Sequence, residues 1–169
     1  MPAPPLTPLA AAVLHVAPSP ERVLEVECGD GAGALFLARE FPAARVRGVD
    51  RSPENIRAAA ARVGLDPEGR IAFKVGTPVS LPYPGAFFDL VAQIDGRPSI
   101  GEVARVLRPG GHLILARSQS AGAAGGPAAW LLRRHLRRRG IELIETAVAG
   151  EGSFSVGRLR GPVRGEPGD

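Results

Sequence analysis

A glycine-rich turn at residues 27–33 carries the groups of this chain that are best suited to hold a ligand. The turn reads ECGDGAG and follows the apolar run RVLEV. Gly29, Gly31 and Gly33 permit a close approach to the backbone, and a helix that begins at such a turn presents unpaired N–H groups. We therefore predict a cofactor site where a strand passes through this turn into a helix.

Acidic residues restrict the kind of ligand that this turn could hold. Read literally, GDGAGA satisfies the dinucleotide pattern G-x-G-x-x-A, with Asp50 near the position of a ribose-binding acid. However, Glu25 and Glu27 would repel the pyrophosphate of a nicotinamide cofactor. A ligand with an ammonium group suits the two carboxylates better, so a nicotinamide-dependent oxidoreductase is the less favoured alternative.

The elements around the turn alternate between short apolar runs and helical patterns, which is typical of βαβ units and a mainly parallel sheet. Ser52 and Pro53 predict the start of a helix that ends at Gly64. RPGG at residues 108–111 predicts a turn before a fifth strand, HLILA. We expect seven strands, of which five are parallel and the last two finish the sheet as a hairpin.

Length and composition indicate one domain. The 169 residues divide into an N-terminal helical segment at 1–20, a domain at 21–160 and a flexible tail at 161–169. The single cysteine and three scattered histidines predict neither a disulfide nor a metal site. Because the sequence shows no secretory signal and no membrane helix, we expect a soluble, cytoplasmic protein.

Four motifs, in order, resemble those of the class I S-adenosylmethionine-dependent methyltransferases. VLEVECGDGAG is similar to the first, RGVDRSPENI to the second, LPYPGAFFDLV to the approach to strand four, and GEVARVLRPGGHLILA to the approach to strand five. The match is collinear from about Val23 to Ala116. It implies a three-layer Rossmann-like α/β fold, with helices on both faces of a seven-stranded, mainly parallel sheet and an antiparallel C-terminal strand.

The resemblance also implies S-adenosylmethionine as the cofactor. Glu25 and the loop at Gly29 and Gly31 would face its methionine end, and Asp50 would accept hydrogen bonds from both ribose hydroxyls. We expect Asp50→Ala to weaken cofactor binding while leaving the stability of the unliganded protein nearly unchanged. The other predicted cofactor contacts are Glu27, Cys28, Arg51, Gly76, Thr77 and Gln93.

Three of these positions depart from the family pattern. Glu27 stands where the family usually has the first glycine of its loop, and its side chain either crowds the methionine moiety or meets the ammonium. Thr77 stands where an acid commonly contacts the adenine amine. Arg51 replaces an aliphatic residue that packs on adenine, and its guanidinium either stacks there or lies exposed. A methyltransferase-like binding module without turnover is therefore the main alternative to an enzyme.

No fixed catalytic signature is needed for methyl transfer, which depends mainly on aligning donor and nucleophile. Asp95, after strand four, is the candidate base or acceptor contact, although an Asp-Gly pair is also typical of a turn, and we favour the turn. Asp89 has either a structural role or a ligand contact. We expect a small-molecule acceptor, and the sequence does not predict the oligomeric state.

The basic balance of the chain raises the question of nucleic acid. The net charge is +4 and the pI is about 10.5, but arginine, alanine, glycine and proline are all abundant, which indicates a compositional bias. The helix around WLLRRHLRRR could contact RNA, DNA or an acidic partner. Without an aromatic platform beside its arginines we favour a solvated face, with Trp130 in the core and Cys28 as a small buried filler.

Overall fold

A seven-stranded sheet forms the middle layer of the computed structural model, which describes residues 6–119 and 127–161. The strands are β1 Arg22–Val26, β2 Arg45–Asp50, β3 Ile71–Val75, β4 Phe88–Ile94, β5 Leu107–Arg117, β6 Ile141–Ala149 and β7 Gly152–Leu159. The helices are α1 Pro8–Val13, α2 Ala32–Glu40, α3 Pro53–Val63, α4 Ile100–Val106 and α5 Pro127–Arg138. The predicted flexible tail lies outside the described residues from position 162 onward.

The strands lie side by side in the order β3-β2-β1-β4-β5-β7-β6. β1 to β5 pair in parallel, whereas β7 is antiparallel to both of its neighbours. This arrangement confirms the predicted fold class, including the five parallel strands and the hairpin at the end. It also brings the carboxyl ends of β2, β1 and β4 together in the middle of the sheet.

Two hydrophobic layers hold the helices against the sheet. On one face, α1 and α2 bury Leu9, Val13 and Leu37 against the strands. On the other face, α4 and α5 bury residues such as Val103 and Leu136. None of the described helices is both long enough and apolar enough to cross a lipid bilayer.

The helix after β2 follows its local sequence signals. The Ser52 hydroxyl accepts a hydrogen bond from the backbone N–H of Asn55 at 3.2 Å, and Pro53 occupies the first turn. Gly64, with φ at +66°, ends the helix, as predicted. Because these signals are local, they fix where the chain enters and leaves the helix next to Asp50.

The start of β5 differs from the prediction. RPGG does not precede the strand; it lies inside β5, which begins at Leu107 directly after α4. The pairing with β4 passes from Phe88–Leu107 to Leu90–His112, so the extra residues form a bulge. Gly110, with φ at +83°, allows the backbone to make this bulge.

The position of Trp130 on α5 also corrects the prediction. Leu136 is fully buried and Leu132 partly so, and these two residues, one helical turn apart, define the core face of the helix. Trp130 precedes Leu132 by two residues, which turns it to the opposite side, and it is 58% exposed. The tryptophan therefore lies on the surface and not in the core.

Asp89 is a structural residue. Its Oδ2 accepts hydrogen bonds from the backbone N–H groups of Glu21 at 3.0 Å and Arg22 at 2.9 Å, and its Oδ1 pairs with Arg108 at 3.1 Å. The carboxylate thus joins the start of β1 to β4 and to the bulge of β5. These contacts favour the structural role over a ligand contact.

We expect Asp89→Ala to lower the free energy of unfolding by roughly 1–3 kcal/mol, because two backbone donors and a guanidinium lose their acceptor. Chemical denaturation measured by circular dichroism would test this. The matched control is Glu68→Ala, since Glu68 is an exposed acid. Equal stability of the two variants would contradict the structural role.

Candidate functional site

The carboxyl ends of β1, β2 and β4 lie side by side, at the edge of the sheet where the parallel strands end. Val26 at the end of β1 is in register with Val49 on β2 and with Gln93 on β4. The residues that follow these positions therefore come together, as expected for ligand sites of open α/β sheets. Most of the predicted site residues lie at this edge.

Asp50 is the centre of the hydrogen bonding at this edge. Its Oδ2 accepts a hydrogen bond from the backbone N–H of Gly29 at 2.9 Å. Its Oδ1 accepts hydrogen bonds from the backbone N–H of Ser52 at 2.9 Å and from Asn55 Nδ2 at 3.1 Å. Burial acts to raise the pKa of Asp50, but these three donors and Arg51 outweigh it, so the pKa is lowered. Asp50 is therefore an anion at neutral pH.

The hydrogen bonds that Asp50 already accepts limit how many more it could accept from a ligand. A carboxylate offers about four lone-pair directions, and three are already used. One direction on Oδ2 remains, which suits one hydroxyl better than two. The same donors overturn the expectation that Asp50→Ala leaves the stability of the unliganded protein unchanged, because the substitution would strand three N–H groups.

Asn55 is a further residue of the site, and it was not predicted from the sequence. Its side chain reaches Asp50 from the first turn of α3. The signal was present, since an Asx residue in the first helical turn after a strand-terminal acid lies close to that acid. Only the register of β2 against β1 shows that this pair faces the glycine turn.

The glycine turn leads into α2 and packs closely against α3. Gly31 caps α2 with φ at +81°, and a Cβ there would lie 2.8 Å from Ala59 Cβ. Gly29, with φ at +53°, has open space where a Cβ would lie. The N–H of Ala32 in the first turn of α2 donates to Asp30 Oδ1 at 3.2 Å. A carboxylate at this helix start disfavours a pyrophosphate ligand.

Glu25 lies beneath the glycine turn, against the start of α2. It is 3% exposed, and a Cβ on Gly33 would lie 2.1 Å from its Oε1. Burial raises the pKa of Glu25 to about 8; the backbone amide of Ala34 partly offsets this, and the charges of Asp30 and Asp50 add to it. Its Oε2 is buried with no hydrogen-bond partner among the described residues. Glu25 is thus a mainly neutral acid at pH 7.

Cys28 points inward. Its side chain is buried, and a Cβ on Gly48 would lie 2.9 Å from the sulfur. Burial, followed by the charges of Glu25 and Asp50, raises the pKa of the thiol to about 12. This environment is that of a buried filler, as predicted, and not that of a nucleophile.

Glu27 adopts a backbone conformation that favours glycine. Its φ is +55°, in the left-handed region, which matches the glycine expected at this position. Its Oε1 accepts a hydrogen bond from Arg51 at 2.9 Å and its Oε2 accepts one from Gln93 Nε2 at 2.7 Å. We call this set of three side chains the Glu27 bridge. It joins the ends of β2, β1 and β4.

The bridge determines where the side chains of Arg51 and Glu27 lie. The Arg51 side chain is 67% exposed and reaches Glu27, so it is not placed as a stacking surface. The Glu27 carboxylate is already shared between two donors, and a Cβ on Gly96 would lie 2.2 Å from its Oε2. The side chain therefore fills the space between the loops that follow β1 and β4.

Two further predicted contacts lie beside Asp50 on the chain that follows β3. The N–H of Gly76 donates to the backbone carbonyl of Asp50 at 3.0 Å. Thr77 is exposed and forms a bridge with Ser80. The segment is thus adjacent to the site.

Asp95 connects two loops at the same edge. Its Oδ1 accepts a hydrogen bond from the backbone N–H of Ser118 at 2.7 Å, and its Oδ2 accepts one from the Ser118 hydroxyl. Its φ of +58° is typical of the Asp-Gly turn. These contacts favour the turn over a catalytic base. Among the described residues, no cluster of acids, histidines and cysteine could hold a metal ion.

The residues at this edge fit the cofactor that the resemblance implies, with one condition. Two buried polar atoms, Glu25 Oε2 and Gln93 Oε1, lack hydrogen-bond partners among the described residues. Asp50 is ionised with one lone-pair direction left, and Gly29 leaves open space. The condition is that the Glu27 bridge opens, and the partly exposed side chains of Glu27 and Arg51 leave room for that.

We expect Glu25→Gln to remove a pH dependence of stability. Between the usual pKa of 4.5 and the folded value of about 8, the folded protein keeps a proton that the unfolded chain releases. Stability of the wild type therefore falls as the pH rises through this range, by an amount on the order of a few kcal/mol.

Urea denaturation of Glu25→Gln and wild type between pH 5 and 8 would test this expectation. The stability of the variant relative to wild type should increase with pH. Glu40→Gln, at an exposed acid, is the control and should follow wild type. Parallel pH profiles for Glu25→Gln and wild type would contradict the buried, protonated state of Glu25.

Comparison with known proteins adds independent information. The sequence model of a family described as "Methyltransferase domain" matches residues 23–111. A phthiotriol/phenolphthiotriol dimycocerosates methyltransferase of Mycobacterium leprae is 35% identical over 114 residues, which cover 63% of this chain and 41% of that protein. A fatty-acid O-methyltransferase of Mycolicibacterium smegmatis is 37% identical over 101 residues, covering 56% of this chain and 36% of that protein.

The matches therefore span less than half of the length of either curated relative. Among solved structures, a SAM-dependent methyltransferase from Aquifex aeolicus superposes with a TM-score of 0.70 at 20% identity, covering 90% of this chain and 89% of that chain. At this identity the likeness supports the fold alone.

Proposed function

This chain belongs to the methyltransferase-domain family, and on that premise we propose that it binds S-adenosylmethionine and transfers the methyl group to a small-molecule acceptor. The observation that carries the proposal is the ionised Asp50 carboxylate, held by Gly29 and Asn55 with one acceptor direction left. Such an anion is a strong acceptor for a ribose hydroxyl.

The cofactor, when bound, supplies a methyl group on a positively charged sulfonium sulfur. We propose that Asp50 positions the ribose and that the buried Glu25 and Gln93 complete the polar surroundings of the methionine end. Glu25 is close to its pKa at neutral pH, so a nearby cation would favour its ionised form. The residues of this chain thus bind and orient the donor, which is the main requirement for in-line transfer.

Two considerations support a small-molecule acceptor. The relatives named above are a fatty-acid O-methyltransferase and a phthiotriol/phenolphthiotriol dimycocerosates methyltransferase. Asp95 is tied to Ser118, so we do not assign a general base to this chain. An acceptor whose nucleophilic oxygen is already ionised, such as a carboxylate, needs no general base.

A second candidate function is cofactor binding without turnover. The Glu27 bridge favours it, because the Glu27 side chain fills the space between the loops that follow β1 and β4 at a position where the family usually has a glycine. The two candidates differ in one measurement, which is methyl transfer by a protein that binds the cofactor.

Isothermal titration with S-adenosylmethionine and S-adenosylhomocysteine tests the proposed function, and the nicotinamide cofactors serve as the comparison. We expect Asp50→Asn to bind S-adenosylhomocysteine roughly 10- to 100-fold more weakly than wild type, as follows from about 1.5–3 kcal/mol for a hydrogen bond to a charged group. Asp66→Asn is the matched control, since Asp66 accepts a hydrogen bond from the backbone of Ile71 away from the site.

The possible outcomes separate the candidates. Wild-type protein that binds neither S-adenosyl ligand would overturn the proposal, and equal affinity in Asp50→Asn would overturn the ribose assignment. Binding without transfer to a panel of fatty acids and other small molecules would favour the binding module. Thermal unfolding of each variant verifies that it is folded.

We expect Glu27→Gly to bind S-adenosylhomocysteine about tenfold more tightly than wild type. The wild-type side chain must break a partly exposed ion pair and a hydrogen bond before the site opens, at a cost of roughly 1–2 kcal/mol. Glycine also suits the φ of +55° at this position.

Glu27→Gln is the control for this variant, because it keeps the length of the side chain. It loses only the ion pair with Arg51, so its gain in affinity should be smaller than that of Glu27→Gly. A loss of affinity in both variants would indicate that the Glu27 carboxylate binds the ligand's ammonium. That result would show that Glu27 contacts the ligand directly and does not crowd it.

A further inference from the structure

A concave surface lies beside β6, the last strand of the sheet, away from the site at β1 and β2. It is a groove of about 840 Å³ between α5 and β6. Three strands separate β6 from β1, which corresponds to roughly 19 Å at about 4.8 Å per strand. We call it the basic groove, because arginines supply most of its lining: Arg133, Arg134, Arg137, Arg138 and Arg160.

The charge of the basic groove is not what an even compositional bias would produce. Glu142 is the one acid in its lining, so the five arginines leave a net charge of +4. The formal net charge of the whole chain is also +4. The remainder of the chain is therefore electrically balanced, and the entire excess of positive charge lies in this groove.

An aromatic side chain accompanies these charges. Trp130 lines the groove and is 58% exposed, with the Arg134 guanidinium 5.3 Å from the centre of its ring. The sequence interpretation of α5 as a plain solvated face depended on the lack of such an aromatic platform. The structure removes that reason.

From this arrangement we infer that the basic groove binds a single-stranded polynucleotide. Guanidinium groups pair with phosphate oxygens through two parallel hydrogen bonds, and an exposed indole offers a surface on which a base stacks. Both elements occur along one groove, with four arginines spaced over two turns of α5. The fifth, Arg160 after β7, pairs with Glu142 at 3.4 Å, so the α5 arginines supply the phosphate contacts. The combination matches a strand that alternates phosphates and bases.

The shape of the surface favours a strand over the other polyanion of a cell, an anionic bilayer. A bilayer is flat and is bound by apolar side chains that protrude from a helix. Here the arginines line a recess. Because α5 also exposes Leu131 beside Trp130, vesicles form a separate arm of the test.

Trp130 provides a direct reporter, since it is the single tryptophan of the chain. Titration of the full chain with oligouridine and with oligothymidine of twelve nucleotides should quench its fluorescence as bases stack. Anisotropy of the labelled oligonucleotides measures affinity. We expect Trp130→Ala to weaken binding at least fivefold, from about 1–3 kcal/mol per stacked base, and Trp130→Phe to retain most of it.

The phosphate contacts have their own test. In Arg133→Gln/Arg137→Gln, the slope of log affinity against log salt should become shallower by about 1.4, at about 0.7 per lost contact with a single strand. The control Arg39→Gln/Arg45→Gln removes the same charge from exposed positions elsewhere and should leave the slope unchanged.

Three results would overturn the inference. They are the absence of quenching and of an anisotropy change at low salt, equal slopes in the two double variants, and binding to phosphatidylserine vesicles without binding to either oligonucleotide. A preference between oligouridine and oligothymidine identifies the kind of strand. None of these measurements requires cofactor binding, so they are independent of the proposed function.

Discussion

The Asp50 carboxylate is the contact on which the site at the sheet edge depends. It accepts hydrogen bonds from the glycine turn after β1 and from the start of α3 after β2, so one side chain fixes two loops relative to each other. The parallel register of β1 and β2 supplies the distance that this contact needs. Without the carboxylate, the turn and the helix would each leave buried N–H groups unsatisfied.

Glu25, Glu27 and Asp50 lie at this edge, and the surroundings of each carboxyl group differ. Burial keeps Glu25 largely protonated, three hydrogen-bond donors keep Asp50 ionised, and Glu27 forms an ion pair with Arg51. Three ionised carboxylates so close together would destabilise the fold. A cationic ligand would reduce the repulsion between these carboxylates, whereas a pyrophosphate would add to it. The electrostatics therefore favour a donor with sulfonium and ammonium groups over a pyrophosphate.

The parts of the fold that the sequence predicted are those with local causes. Ser52, Pro53 and Gly64 specify α3, and apolar alternation specifies the strands. The bulge at Gly110 escaped prediction because a proline-glycine run reads as a turn when the neighbouring strand is unknown. Trp130 escaped because its exposure depends on which face of α5 meets the sheet. At the site, the sequence indicated Asp50, whereas the donor Asn55 and the Glu27 bridge required the register of three strands.

Glu27 and the basic groove both depend on contacts between residues that are distant in the sequence. A glutamate at a glycine position breaks a local backbone rule, and such departures persist where the surroundings compensate for them. Arg51 and Gln93 provide that compensation by holding the carboxylate. The arginine content of the chain likewise suggests an even bias, yet the lining of one groove accounts for the whole net charge. Counts of residue types cannot distinguish scattered charges from gathered ones; the packing of α5 against β6 does so.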